Sequence, residues 1–437
     1  MKRINEAQKD NAHRLIQCLT VASRPLRVEE IAELLAFDCR AFSSGGVLKW
    51  ENWRWDDHEE VVLSTCAGLI TIVPSGDSRV VRFSHFSVKQ YLTSPRLALS
   101  PCVDVSWFYI DLEAAHTIMA QACLEILLRS DEDDGKSNAK RSPLVKYAAQ
   151  YWVEHARFED VSSRVRDGMD DLFDSSKPHF AAWLQVYDID EEWTHFSMNQ
   201  HDVGFPLYYA AFCGFYDLAE RLIMKHPDQV NARGGRLLAP FTAALYKRHF
   251  RLAHLLHEHG ADVDCQGWLK RTPIHSASID GSVDVTRWLL NHGADANARS
   301  SGGLTPLSWV AYYARIECAQ LLLGHNANVN LQDDGGRTPL HESIWGPGEH
   351  KVDIARRLLE HGADLNICDD SHSTPLHEAS TYGFPEVARL LLNYGAKVDA
   401  KDDEGSTPFQ VATSKGHHEI AKLLLEHGAV PPRSIRG

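Results

Sequence analysis

The chain has 437 residues, of which 44% are hydrophobic and 24% charged, so it is globular and too long for one compact core. Lys and Arg number 45 against 59 Asp and Glu, a net charge of −14, and residues 101–200 are the most lopsided, with 9 basic and 19 acidic groups. No stretch is strongly basic, which argues against nucleic-acid partners, whose non-specific binding runs on neutralised phosphates.

The nine cysteines are scattered, odd in number and without a CxxC pair, the pattern of reduced thiols. The opening MKRINEAQKDNAHR lacks the apolar centre of a signal peptide. No run approaches the ~18 apolar residues of a membrane span. The expectation is a cytoplasmic or nuclear chain with no membrane partner.

Residues 1–100 read as a small winged-helix domain. Leu15, Ile16, Leu19 and Val21 give a helix over His13–Val21 an apolar face. The loop Ala22-Ser23-Arg24-Pro25 interrupts it, and a second helix follows over Val28–Leu35. A third is expected over Asp56–Cys66, with Val61, Val62 and Leu63 inward. Two strands, Gly68–Val73 and Arg79–Phe83, flank the turn Pro74-Ser75-Gly76-Asp77-Ser78, and a short helix fits His85–Leu92. Three helices and then a hairpin is the order of a winged helix. The helix before the hairpin opens with Asp56-Asp57-His58-Glu59-Glu60, and four carboxylates there repel phosphate. The domain therefore reads as a packing module.

Residues 101–199 read as a helical connector with amphipathic segments Ala114–Leu128, Pro143–Ala156 and Phe173–Val186. Between the first two lies the charged loop Asp131–Lys140. Counted from Asp131, an EF-hand would need its glycine at position 6 and Glu at 12, but position 5 is Gly135 and position 12 is Ser142. A solvated charge run is the better reading.

Residues 200–437 are periodic. Pro206, Pro240, Pro273, Pro306, Pro339, Pro375 and Pro408 are spaced by 34, 33, 33, 33, 36 and 33 residues. Gly260, Gly293, Gly362, Gly395 and Gly428 keep the same register, with Asn326 in the missing slot. A period of about 33 with a T-P-L-H start is the ankyrin signature. Thr272-Pro273-Ile274-His275, Thr338-Pro339-Leu340-His341 and Thr374-Pro375-Leu376-His377 carry it. In the unit 368–400, Thr374 suits an N-cap and Pro375 the first helical position. Gly383 suits the left-handed close of the first helix, and Gly395 ends the second before an extended lead-out, Ala396–Asp399. Such a unit cannot hide its own apolar face and needs a copy on either side. The expected fold is thus mainly α: a seven-repeat ankyrin solenoid behind a winged helix and a connector.

Cys66-Ala67-Gly68-Leu69-Ile70, Val81–Ser94 and Tyr147–Ala156 resemble the winged helix and connector of fungal NACHT–ankyrin proteins, signalling NTPases of the STAND class. The resemblance covers about residues 10–432. It implies the C-terminal part of such a protein, because those proteins place a P-loop domain before the winged helix. Here no G-x-x-x-x-G-K-[ST] occurs; Gly135-Lys136-Ser137 lacks the upstream glycine. The chain is therefore expected to be truncated or encoded alone. The resemblance also implies a nucleotide contact for His85, but without a phosphate cradle His85 reads as packing the helix start.

No enzyme, cofactor or metal site is expected. His341-Glu342 and His377-Glu378 lack the second histidine of H-E-x-x-H. His259, His292, His361 and His427 precede the helix-ending glycines, where a donor suits the helix C-terminus. The T-P-L-H histidines are read as holding their turns.

The binding face is expected on the two residues before the first helix's closing glycine in each repeat, which face the concave surface without packing duty. Phe212, Tyr246, Ile279, Asp280, Tyr312, Tyr313, Trp345, Thr381 and Tyr382 are the candidates to grip a protein partner. Aromatics there bury much area at small entropic cost. Repeat five inserts three residues at Trp345–His350, and insertions in solenoids are often recognition elements. The degenerate first repeats, Phe205-Pro206-Leu207-Tyr208 and Ala239-Pro240-Phe241-Thr242, are read as caps or docking units. The expected function is a protein-binding sensor or scaffold arm. The rivals are a free-standing ankyrin adaptor and half of a nucleotide-dependent switch needing a P-loop domain in trans.

Overall fold

The computed structural model describes residues 9–35, 62–63, 66, 68–76, 78–102, 106–129, 142–190, 205–347 and 350–431. Most of the expected third helix of the winged-helix domain and the whole loop 131–140 lie outside them. The chain divides into two compact units, Met1–Arg236 and Leu237–Gly437.

In the first unit, the winged helix begins with α1 (Lys9–Val21), which turns Ala12, Leu15, Ile16 and Cys18 into its core. A three-stranded antiparallel sheet follows, in the order β1-β3-β2: β1 is Leu26–Arg27, β2 Ile70–Ser75 and β3 Ser78–Phe83. The sequence suggested only the hairpin. β1 has two residues, too few for any alternation to show, yet Leu26 pairs with Val81 as Ile72 does from the other side. α2 (Val28–Leu35) carries Glu30, buried at 1% exposure. Its carboxylate is fully engaged: Arg24 donates to it at 2.6 and 2.9 Å, and the Arg27 N–H at 2.8 Å. A buried charge this well paired is tolerated, and losing one partner costs several kcal/mol, about 3–5. The Arg24 guanidinium also lies 5.0 Å from the Tyr147 ring, tying the winged helix to the connector.

The connector comprises helices Leu112–Arg129, Val145–Ala156, Val161–Arg164, Arg166–Leu172 and His179–Val186. The expected segment Phe173–Val186 is thus broken, with turn at its start. Asp174 Oδ1 accepts from the Ser176 N–H and hydroxyl at 2.9 and 2.7 Å, a local bond that competes with helix, and Pro178 resets the next N-terminus. His155 is fully buried, 2.9 Å from both His116 Nδ1 and the Tyr147 hydroxyl, and burial pushes its pKa down to about 3.

Trp152 is the centre of this unit. It is fully buried against Phe173, Trp183 and Phe215, the last stacked at 5.4 Å. Phe215 belongs to the first helix pair, Pro206–Cys213 and Tyr216–Lys225. Tyr208, at the T-P-L-H histidine's place, instead donates to Asp190 Oδ2 at 2.7 Å. The degenerate first repeat therefore docks on the connector.

The second unit stacks six more helix pairs, starting at Pro240, Pro273, Pro306, Pro339, Pro375 and Pro408. First helices pack on first helices and second on second, burying the Leu and Ala positions between neighbours. The closing residues keep their register: Gly383 is left-handed at φ 76°, and Asn326 takes φ 61° where the other repeats have glycine. The lead-out after Gly395 does not stay extended as expected: Val398 and Asp399 form a turn, and Asp399 accepts the Val430 N–H of the next loop at 3.2 Å.

Candidate protein-interaction face

What holds one repeat to the next also positions the face. His275 Nδ1 accepts from the Thr272 N–H at 3.1 Å, capping its own helix, and Nε2 donates to Leu304 O of the following repeat at 3.2 Å. His341 and His377 do the same toward Ser373 and Ser406. These bonds need a neutral imidazole protonated on Nε2. Burial holds His275 and His341 down at about 4 and lowers His377.

A second ladder runs through the loops. Asp264 accepts from the Asp295 N–H, Asn297 from Asn328, Asn330 from Asp364, Asn366 from Lys397, and Asp399 from Val430, at 2.7 to 3.2 Å. At the helix ends, His259, His292, His325, His361 and His427 each place Nδ1 within 2.9 Å of the carbonyl four residues back, satisfying orphan acceptors.

On this frame the expected partner-binding residues separate. Tyr312, Tyr313 and Trp345 come together with Trp309, which the sequence reading missed. Trp309 stacks on Tyr313 at 6.2 Å; Tyr312 meets Tyr313 edge-on at 5.0 Å and Trp345 at 6.0 Å. Trp309, Tyr312 and Tyr313 are at i, i+3 and i+4, one helical face, so the spacing could have revealed Trp309. Three guanidiniums lie on these rings: Arg271 over Trp309 at 4.6 Å, Arg337 over Trp345 at 4.5 Å and Arg315 over Tyr313 at 5.9 Å. Trp345 keeps 48% exposure.

The remaining candidates have other surroundings. Phe212 is 8% exposed, in the first unit, with the Tyr208 ring 6.2 Å away. It is buried along with the rest of its helix, Pro206–Cys213, and so has a packing duty, contrary to expectation. Tyr246 is exposed beneath the Lys247 ammonium. Ile279 is half-buried, its carbonyl accepting from Arg315 Nε at 3.3 Å, and Asp280 beside it is exposed. The Thr381 hydroxyl donates to His377 O, and exposed Tyr382 faces Phe384.

The inserted stretch of repeat five begins under this strip. A Cβ on Gly346 would collide with the Tyr312 carbonyl oxygen, so only glycine fits there. Lys351 Nζ donates to Ile344 O at 2.8 Å and to Gly346 O, fixing the turn. Beneath it, Glu342 and Glu378 flank Arg337 at 4.0 and 3.9 Å, and both are buried. Desolvation raises Glu342 to about 7 and Glu378 to about 8. Glu378 Oε2 has no hydrogen-bond partner among the described residues.

His85 caps the helix Phe86–Leu92, its Nδ1 accepting from the Ser87 N–H at 3.2 Å. Among the described residues no three of His, Cys, Asp and Glu are grouped to hold a metal ion, and no helix is long and apolar enough to cross a membrane.

These elements define a mainly helical chain of ankyrin repeats behind an N-terminal winged helix domain. Family models agree: "Ankyrin repeats (3 copies)" matches residues 294–369 and 348–434, and "Ankyrin repeats (many copies)" matches 256–308. "GPI inositol-deacylase, winged helix domain" matches 1–100. The chain is also similar to azaphilone pigments biosynthesis cluster protein L of Monascus ruber, 28% identical over 279 residues, which cover 60% of this chain. The match spans 57% of that protein's length. Ankyrin repeats indicate a role in protein–protein interaction.

Proposed function

We propose that this chain is a non-enzymatic recognition arm of a NACHT-type signalling protein, in which the repeats hold a protein partner and the winged helix and connector pass on its presence. On this reading 1–100 is the winged helix, 101–199 the connector and 200–437 the recognition array. The carrying observation is the joined strip Trp309–Tyr312–Tyr313–Trp345, in which a half-exposed tryptophan is held by rings and a guanidinium rather than by the core. Rigid aromatic anchors ringed by contacts that exclude water are what interface hot spots are made of. The winged helix supports the NACHT context, since its type accompanies such proteins.

The test is partner capture by the chain against Tyr312→Ala/Trp345→Ala. A partner retained by the wild type and released about tenfold more readily by the variant, at unchanged melting temperature, supports the reading. Equal retention by both, or collapse of the fold, would overturn it.

A further inference from the structure

We infer that the strip takes an acidic protein segment, one carrying carboxylate side chains next to an apolar residue. This rests on the strip being the docking face, and it adds the partner's chemistry.

A guanidinium laid flat on an aromatic ring keeps its N–H edge in the plane, free to meet a carboxylate with two parallel bonds. Three guanidiniums sit over the strip's rings, 4.5 to 5.9 Å from the ring centroids, and few hydrogen bonds within the protein use them. Arg271 makes no ion pair among the described residues; its Nε is buried without a hydrogen-bond partner, so its terminal nitrogens are the ones a ligand would meet. Arg315 spends its Nε on Ile279 O, leaving its two terminal nitrogens. Arg337 reaches Glu342 and Glu378 only at 4.0 and 3.9 Å, beyond hydrogen-bond length.

The local carboxylates do not present themselves to an arriving ligand. Glu342 and Glu378 are 4% and 6% exposed, and among the nine candidate residues themselves the one carboxylate is Asp280, exposed and held partly by the charge of Arg315. A basic segment would find three cations there and nearly nothing to pair with. An acidic one would find a guanidinium at each of three rings, Trp309, Tyr313 and Trp345. A polyanionic nucleic acid is the weaker match, because the chain as a whole carries −14 and repels an extended line of phosphates.

The experiment selects a phage-displayed library of random twelve-residue peptides on the immobilised full chain at low salt. One enriched peptide is then titrated by fluorescence anisotropy. The expected result is enrichment of net-negative peptides whose affinity falls about tenfold or more in Arg271→Ala/Arg315→Ala and declines with added salt. Arg271→Lys, which keeps the charge and loses the fork, should lose less, and Arg271→Glu should shift new selections toward basic sequences. Melting temperatures accompany every variant, and Arg271→Lys carries the comparison should an alanine variant fail to fold.

Neutral or basic winners, no enrichment at all, or indifference to the arginine variants would overturn the inference. If such winners are still lost with Tyr312→Ala/Trp345→Ala, the strip remains the docking face and only the acidic chemistry is wrong. If winners bind that variant equally well, the docking face itself is wrong.

Discussion

The His341 imidazole donates from Nε2 to the carbonyl oxygen of Ser373, 32 residues further along and in the next repeat, while its Nδ1 takes the Thr338 N–H. One ring therefore closes its own helix and ties down its neighbour. Made together, the two bonds require the neutral ring, since a protonated one can still donate from Nε2 but has no acceptor at Nδ1.

This makes the array sensitive to acid. His275 and His341 titrate near 4 in the fold and near 6.5 when unfolded, and His377 is lowered as well. Their contribution is fully present above the unfolded value and is lost as pH falls from 6.5 toward 4. Each can cost up to about 1.4 kcal/mol per pH unit within that window. Urea midpoints measured from pH 7 to 4 should fall accordingly. The loss should be shallower in His341→Gln, because Gln410 shows that an amide oxygen can accept the capping N–H, at 2.9 Å in repeat seven.

The buried carboxylates act in the opposite sense. Glu378 and Glu342 hold protons in the fold up to about 8 and 7, whereas the unfolded chain releases them near 4.5. They therefore lower stability as pH rises from 4.5 through 8. Glu378→Gln should raise the melting temperature at pH 8.5, gaining about 1–3 kcal/mol, and be close to neutral at pH 5. A destabilised variant at pH 8.5 would show that Arg337 fully compensates the charge.

In the first unit the load falls on Trp152. Its ring touches connector and first repeat alike, so Trp152→Ala should cost about 3–5 kcal/mol through the cavity it leaves. Hydrogen exchange should show Pro206–Lys225 losing protection together with Val145–Ala156. Loss confined to the connector would mean that the first repeat stands without it.

The loop ladder predicts a graded pair of variants. Asn330 accepts from the Asp364 N–H at 2.8 Å and donates to Gly362 O at 3.1 Å. Asn330→Asp keeps the first bond only, and Asn330→Ala keeps neither. Denaturation should order them wild type, Asp, Ala, with about 0.5–1.5 kcal/mol per bond.

What the sequence made legible was whatever repeats: Pro375 at a helix start, Gly383 and Asn326 in left-handed closures, the capping histidines. Their roles follow from local geometry, which is the same in every copy. Contacts that depend on how copies are staggered were harder to see. Nothing in the 33-residue period says that Arg271 lies on Trp309 of the next repeat, or that Arg337 lies on Trp345 of its own. Phe212 looked like a surface aromatic because its register matches Tyr246, yet its repeat meets the connector. The loop ladder was readable in principle, since Asp264, Asn297, Asn330, Asn366 and Asp399 are spaced by 33, 33, 36 and 33 residues, the longer step being the insertion in repeat five; its acceptors serve the neighbouring copy, which no single unit reveals.

Repeat four has Ser308 where its neighbours have the imidazole. The Ser308 hydroxyl reaches Thr305 within its own repeat, and a side chain that short spans no further. The seam between repeats four and five thus goes without the inner tether that repeats three, five and six all cast forward, and is held in the loops instead, where Arg299 Nη1 donates to Gln332 O at 2.9 Å and the Asp334 N–H to Gly302 O at 2.9 Å. Protonation, which loosens the histidine-tied seams, therefore leaves this one as it was, because it holds no imidazole to charge.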